Sequence, residues 1–292
     1  MDTASLPFLS LGLTGWPLGH SLSPRLHQAA LTALDLAGEY RLYPVPPLPE
    51  GRGDLAKLVE QVRRGRLHGL NVTIPHKQSV LPLLDELTPA ASAIGAVNTV
   101  YRRAGRLVGH NTDGPGFLSD LERLGFAGLT SGPRPKALVL GAGGAARAVC
   151  WALAQAGWQV FITARRFEQA SALAAGLSAN SWAASALTFE PASLLQPFSL
   201  IINTTPVGMY PDVQASPWPD GILFPAGAAV YDLVYNPPET ALIRAARAAG
   251  LPAATGLGML VEQAALAFEA WTGRTVPRLL LWKAVNFEPE AP

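Results

Sequence analysis

The chain has 292 residues, 49% hydrophobic and 15% charged, with 28 Gly, 26 Pro, one Cys and a formal net charge of +1. That length suggests two domains, each large enough to bury its own core. A lone Cys150 excludes an intrachain disulfide and a four-cysteine zinc site, and 22 basic against 21 acidic residues give no field of the kind a nucleic-acid binder presents. The N-terminal residues 1–5 carry no Lys or Arg ahead of the first apolar stretch, so no secretory signal is expected, and cytoplasm is the default compartment. The most apolar long stretch, 137–163, is interrupted by Gly141, Gly143, Gly144, Arg147 and Gln155, so no membrane helix is expected there.

In chain order, 9–15 reads as a strand and 24–37 as a helix with Ser23 as N-cap and Pro24 in its first turn. A strand over 40–45 follows. Asp54 is placed to cap a helix whose Leu55, Leu58, Val59 and Val62 share one face, and 67–74 reads as a third strand. Thr88 and Pro89 open a short helix, 96–101 and 106–110 pair as a hairpin around Ala104-Gly105, and 114–124 is helical. Residues 125–136 have no apolar period and five Gly or Pro, which suggests a linker near a domain boundary. Beyond it the alternation restarts: strand 137–140, helix 145–156, strand 158–163, helix 168–175, strands 198–203 and 230–234, helix 238–249. The segments 258–271 and 276–285 read as helices that cross back onto the first domain. Such alternation predicts an α/β protein in which helices cover mostly parallel sheets.

The strand after the linker runs straight into Gly141-Ala142-Gly143-Gly144-Ala145-Ala146 and then a helix. Gly141 permits a tight turn, Gly143 lets backbone amides approach a pyrophosphate at the helix N-terminus, and Ala146 is small enough to pack helix on strand. This context predicts a Rossmann-type dinucleotide-binding domain. About 20 residues on, where an NAD site carries a carboxylate for the ribose hydroxyls, the chain has Thr163-Ala164-Arg165-Arg166. Two guanidinium groups there suit a 2′-phosphate, so NADP is the expected cofactor.

The first half carries four polar clusters at strand ends, where ligands bind in open α/β sheets. Ser21 and Ser23 lie in GWPLGHSLSPRLH (15–27), where capping is their plain structural explanation; Asn71, Thr73 and Lys77 lie in NVTIPHK (71–77), Asn98 in GAVNT (95–99), and Asp113 in NTDG (111–114). The five histidines, His20, His27, His68, His76 and His110, lack helical metal-motif spacing, so no metal is expected. Trp151, Trp158 and Trp271 read as core, and Cys150 as buried and inert.

Taken with GAGGAARA (141–148), INTTPVGM (202–209), YDLVYNP (231–237) and GLGMLVEQA (256–264), these motifs make the chain resemble the shikimate dehydrogenase family across nearly its whole length. The resemblance implies reversible NADP-linked interconversion of 3-dehydroshikimate and shikimate, a step toward chorismate and the aromatic amino acids. It implies that Ser21, Ser23, Thr73, Asn98, Asp113, Tyr235 and Gln263 bind the substrate with Asn71 in support, and that Lys77 and Asp113 are the catalytic pair. It implies cofactor contacts at Gly141, Ala142, Gly143, Gly144 and Ala145, at Arg165 on the adenosine phosphate, and at Leu233 and Gly256 near the nicotinamide. One departure is visible: the family usually has Asn-Arg-Thr with a second Arg three residues later, whereas here Ala164-Arg165-Arg166 is followed by Gln169, and Arg166 is the available substitute.

Elementary chemistry asks for such a pair, because oxidising a ring alcohol releases a proton that the protein must handle while the hydride goes to the cofactor. A carboxylate raises a neighbouring lysine's pKa and desolvation lowers it, so the sequence leaves Lys77 open as a base or as a charged donor. The expected organisation is a substrate domain over 1–113 completed by 258–292, a Rossmann domain over 114–257, and a cleft between them that the linker allows to close. The alternatives are a quinate- or NAD-accepting relative, a ligand sensor of the same fold, and a folate-linked dehydrogenase of similar architecture, which the serine pair, NVTIPHK and NTDG fit less well. A homodimer is left open.

Overall fold

The computed structural model describes residues 8–126, 128 and 134–285. The residues 1–5 in which we read no leader, most of the Gly/Pro-rich stretch and the last seven residues lie outside these. The chain divides into two compact units, one of residues 1–112 with 260–292 and one of residues 113–259.

The first unit contains β1 (Leu9–Gly15), α1 (Ser23–Ala33), β2 (Gly38–Pro44), α2 (Arg52–Arg63), β3 (Gly69–Val72), β4 (Glu86–Leu87), α3 (Pro89–Ile94), β5 (Thr99–Arg103) and β6 (Arg106–His110). Its sheet runs β2-β1-β3-β5-β6-β4, and β5 alone opposes the other strands. The apolar stripe of α2, Leu55, Leu58, Val59 and Val62, is buried against Leu70, Val72, Val100 and Leu107 of the sheet. Each such side chain contributes about 1.5–3 kcal/mol by leaving water.

Two helix starts differ from the sequence expectation. The N-cap of α1 is Leu22, not Ser23; Ser23 is already helical, and its N–H donates to Ser21 Oγ at 3.2 Å. The N-cap of α2 is Gly51, while Asp54 sits inside the first turn and pairs with Lys57 at 3.0 Å. Thr88 does cap α3, accepting from the Ala91 N–H.

The second unit contains α4 (Asp113–Arg123), β7 (Lys136–Leu140), α5 (Gly144–Gln155), β8 (Gln159–Thr163), α6 (Phe167–Ser178), β9 (Ala184–Ala186), α7 (Pro191–Leu194), β10 (Leu200–Asn203), β11 (Ala229–Asp232), α8 (Ala241–Ala248) and β12 (Ala253–Thr255). All strand pairs are parallel, in the order β12-β11-β10-β7-β8-β9, a doubly wound sheet whose direction of winding reverses between β7 and β10. Both faces are covered, which explains the unbroken apolar strands: Ala137 and Val139 face one core with Val149 and Leu153, and Leu138 and Leu140 face another with Leu242 and Ala246. Phe117 and Leu121 of α4 join the first of these cores. The division therefore falls at Thr112–Asp113, ahead of α4 and not in the Gly/Pro-rich stretch.

The chain ends with α9 (Leu257–Thr272) and α10 (Arg278–Ala284); from Leu260 onward they belong to the first unit. Among the described residues, no helix is long and apolar enough to cross a membrane. Trp158 and Cys150 are buried, and Trp151 and Trp271 are half-buried.

Candidate active site

In the first unit the expected substrate residues gather where β1 and β3 end and after α3. Asn71, inside β3, is buried, and its Nδ2 donates to the Asn98 carbonyl (3.1 Å) and to Thr99 Oγ1 (3.3 Å). Tyr40 donates its hydroxyl hydrogen to Asn71 Oδ1 at 2.7 Å. Asn98 Nδ2 donates to Thr112 Oγ1 (2.9 Å) and Gln263 Oε1 (3.3 Å), and Asn98 Oδ1 accepts from the Thr112 N–H (2.8 Å) and Thr99 Oγ1 (2.9 Å). Gln263 Nε2 donates in turn to the Leu260 carbonyl at 2.9 Å. Each amide orientation is thus set by several partners, as a buried polar network requires. Ser21 and Thr73 are half-buried and Ser23 is buried. Burial pushes the Tyr40 phenol well up, with Ser23 bonding to it and pulling the other way.

Lys77 lies in the turn after β3. That turn is fixed from inside: His76 is wholly buried, its Nε2 donates to the Val45 carbonyl (2.8 Å), and the Lys77 carbonyl accepts from the Val97 N–H (2.8 Å). The Lys77 side chain is half-buried. Asp113, buried, is the first residue of α4 and follows directly on Thr112, whose N–H Asn98 holds. Asp113 and half-buried Tyr235 belong to the second unit, and the other expected substrate residues to the first.

In the second unit Gly141 ends β7 at the point where the winding reverses. Its φ of +117° favours glycine, and an added Cβ would stand 2.5 Å from Thr204 Oγ1 and 3.1 Å from Thr205 Cγ2. Gly143 caps α5 and faces open space, with nothing within 4 Å of a Cβ built there. Gly144 and Ala145 follow in the first turn of α5, Ala142 is half-buried, and Ala146, in the same turn, is wholly buried in the core shared with Ala137 and Val139 of β7. A tight turn, an open approach and a helix N-terminus fit a dinucleotide pyrophosphate. Arg165 and Arg166 are exposed where β8 gives way to α6, with Arg166 as its N-cap, and neither makes an ion pair among the described residues. Leu233 and Gly256 are in contact; a Cβ on Gly256 would lie 2.5 Å from the Leu233 carbonyl oxygen.

Sequence reasoning missed a second buried network. Asn203 ends β10 and Asp232 ends β11, and Asn203 Nδ2 donates to Asp232 Oδ1 at 2.8 Å. Burial pushes the Asp232 carboxyl up to about 6, against hydrogen bonds from Thr240, Val234 and Asn203. The available signal was a polar residue closing an apolar strand, as in Leu-Ile-Ile-Asn and Ala-Val-Tyr-Asp. Tyr40, Thr99 and Thr112 were likewise unassigned. Among the described residues no group of three His, Cys, Asp or Glu stands ready to hold a metal.

A doubly wound unit with a glycine turn at its switch point, joined to a second α/β unit carrying a buried amide network, defines a dinucleotide-linked α/β enzyme class. Residues 13–100 match the shikimate dehydrogenase substrate binding domain, and residues 256–285 match the shikimate 5′-dehydrogenase C-terminal domain. A shikimate dehydrogenase (NADP(+)) of Salinibacter ruber is 46% identical over 280 residues, covering 94% of this chain and 95% of that protein. The structure of shikimate 5-dehydrogenase from Thermus thermophilus in complex with NADP(H) and shikimate is 41% identical, with a TM-score of 0.80 and coverage of 95% and 98%. Quinate dehydrogenase from Corynebacterium glutamicum in complex with NAD is 32% identical, with a TM-score of 0.83 and coverage of 96% and 99%. The chain belongs to the shikimate dehydrogenase family.

Proposed function

We propose that this chain is an NADP-linked oxidoreductase that interconverts shikimate and 3-dehydroshikimate, the activity carried in the names of its relatives. The observation that carries the reading is the buried network of Asn71, Asn98, Thr112 and Gln263, whose core lies in the segment matched as a substrate-binding domain. Ser21, Ser23, Thr73, Asn98, Tyr235 and Gln263 hold the ring hydroxyls and carboxylate, and Asn71 fixes the Asn98 backbone behind them.

Gly141, Ala142, Gly143, Gly144 and Ala145, with Leu233 and Gly256, would hold NADP, which when bound would supply the hydride acceptor for oxidation and, reduced, the donor for reduction. Arg165 and Arg166 would hold its 2′-phosphate; their exposure and lack of ion-pair partners among the described residues suit that role. The hydroxyl proton released when the alcohol is oxidised falls to Lys77 and Asp113. Lys77 takes or shares the proton at Nζ, and the Asp113 carboxylate orients the hydroxyl and favours the charged ammonium.

A second reading, with broader use of NAD and quinate, is favoured by one observation: Gln169 stands where the family usually has its second arginine. Absorbance at the reduced-nicotinamide band separates the two, with shikimate or quinate paired with NADP or NAD. Rapid reduction of NADP with shikimate alone supports the first reading. Comparable rates with NAD or quinate support the second, and no reduction with any pair favours a ligand sensor.

A further inference from the structure

We propose that Asp232 is a positioning residue for nucleotide binding, holding both the loop after β10 that walls the Gly141 turn and the loop after β11 that carries Leu233. The proposal rests on the dinucleotide-linked reading above and deepens it.

Asp232 is wholly buried at the end of β11, and its two oxygens take hydrogen bonds from three directions. Oδ1 accepts from Asn203 Nδ2 (2.8 Å) and from the Val234 N–H (3.0 Å); Oδ2 accepts from Thr240 Oγ1 (2.6 Å). Asn203 passes the constraint on. Its Oδ1 accepts from both the Thr205 N–H (2.9 Å) and Thr205 Oγ1 (2.7 Å), while its Nδ2 also reaches the Val207 carbonyl (3.3 Å). Thr205 and its neighbour Thr204 form the wall against which Gly141 turns, and Thr204 Oγ1 donates to the Leu140 carbonyl at 2.7 Å. On the other side, the bond to Val234 fixes the chain beside Leu233, whose N–H donates to the Asn203 carbonyl and whose backbone touches Gly256.

One carboxylate therefore sets both the wall of the phosphate turn and the Leu233–Gly256 contact. Thr240 closes the arrangement: its hydroxyl donates to Asp232 while accepting from the Ile243 N–H as the cap of α8. An unpaired buried carboxylate is unfavourable, so these donors tie the loops to one geometry. An uncharged residue in a purely structural corner would serve α8 capping equally well; a charge with three donors fixes the loops as well as the helix.

The test is direct titration of NADPH fluorescence with the full chain and two variants, alongside steady-state kinetics. Thr240→Val keeps the side chain's shape but removes the hydroxyl, and with it both the donor to Asp232 and the acceptor that caps α8; it should weaken NADPH binding about tenfold with the shikimate KM little changed. Thr240→Ser restores the donor and should bind within about twofold of the unsubstituted chain. Asp232→Asn is the second probe, since it halves the acceptors without changing volume, and should weaken NADPH binding to a similar degree; it carries the test if Thr240→Val does not fold. Normal NADPH affinity in a folded Thr240→Val or Asp232→Asn chain overturns the proposal, as does a loss seen only in thermal melting. If NADPH binds but shikimate is not turned over, the substrate reading fails while this proposal stands. If the unsubstituted chain binds no NADPH, both fall.

Discussion

The imidazole of His27 lies flat against the ring of Tyr40, with centroids 4.4 Å apart and planes within 9°. Trp271 closes over it at 5.1 Å, and His27 Nε2 is buried with no hydrogen-bond partner among the described residues. Burial pushes the imidazole down to about 3, with Asn71 pulling weakly the other way. The ring is therefore held neutral beneath the Asn71 network.

That relationship sets a pH dependence of stability. Between about 6.5, the histidine value in an unfolded chain, and about 3 in the folded one, only the unfolded chain binds this proton. The stabilisation is fully present above the upper value and is lost as pH falls through the window, by about 2 kcal/mol from pH 7 to pH 5. Asp232 acts with opposite sign, because its raised carboxyl keeps a proton in the folded chain up to about 6. The quantity to measure is thus the difference between the unsubstituted chain and His27→Phe in urea unfolding at both pH values. The variant keeps the stacked ring and should lose less stability on acidification; equal losses would refute the assignment.

Much of the architecture is legible in the sequence, because it depends on local periods. The stripe Leu55, Leu58, Val59 and Val62, and the strand–glycine–helix run at 137–155, each carry their own evidence. What depends on distant pairing is hidden. Asn71 and Asn98, or Asn203 and Asp232, meet only because β3 lies beside β5 and β10 beside β11, and no local pattern encodes that order. The Gly/Pro-rich stretch suggested a boundary by composition, but burial of Phe117 and Leu121 in the second unit outweighs it. Two polar residues near helix starts misled in the same way, since Ser23 and Asp54 sit one to three positions past the observed caps.

Lys77→Ala should lower kcat by about 10²–10⁴-fold with the shikimate KM changed little, as expected when a proton-transfer group is lost and a binding group is not. The turn holding Lys77 is anchored by His76 and by the Val97 N–H, so the substitution leaves the backbone in place. A loss confined to KM would make Lys77 a binding residue instead. Asp113→Asn should lower kcat in the same sense while keeping the hydrogen-bonding shape.

Arg165→Ala combined with Arg166→Ala should raise the NADP KM by about 10–100-fold and leave the NAD KM unchanged, since a guanidinium–phosphate bond is worth about 1.5–3 kcal/mol. Both side chains are exposed and make no ion pair among the described residues, so melting should not shift. An equal loss for both nucleotides would move these arginines from the 2′-phosphate to a part the two cofactors share.

Gly141→Ala tests the turn itself. The residue would be held at φ +117°, and its Cβ would stand 2.5 Å from Thr204 Oγ1, itself bonded to the Leu140 carbonyl and so unable to yield freely. The strained backbone alone costs about 1–3 kcal/mol, and the collision adds to it. Thermal melting should fall by several degrees, and NADPH titration should show binding weakened at least tenfold, because relief requires the turn to move away from the 204–205 wall. Gly143→Ala is the informative contrast: open space surrounds that position, so the protein's own packing tolerates a methyl group there. A melting temperature near that of the unsubstituted chain, combined with weakened NADPH binding, would locate the steric conflict of Gly143→Ala with the nucleotide and that of Gly141→Ala with the protein; unaltered NADPH affinity in Gly143→Ala would remove Gly143 from the phosphate approach.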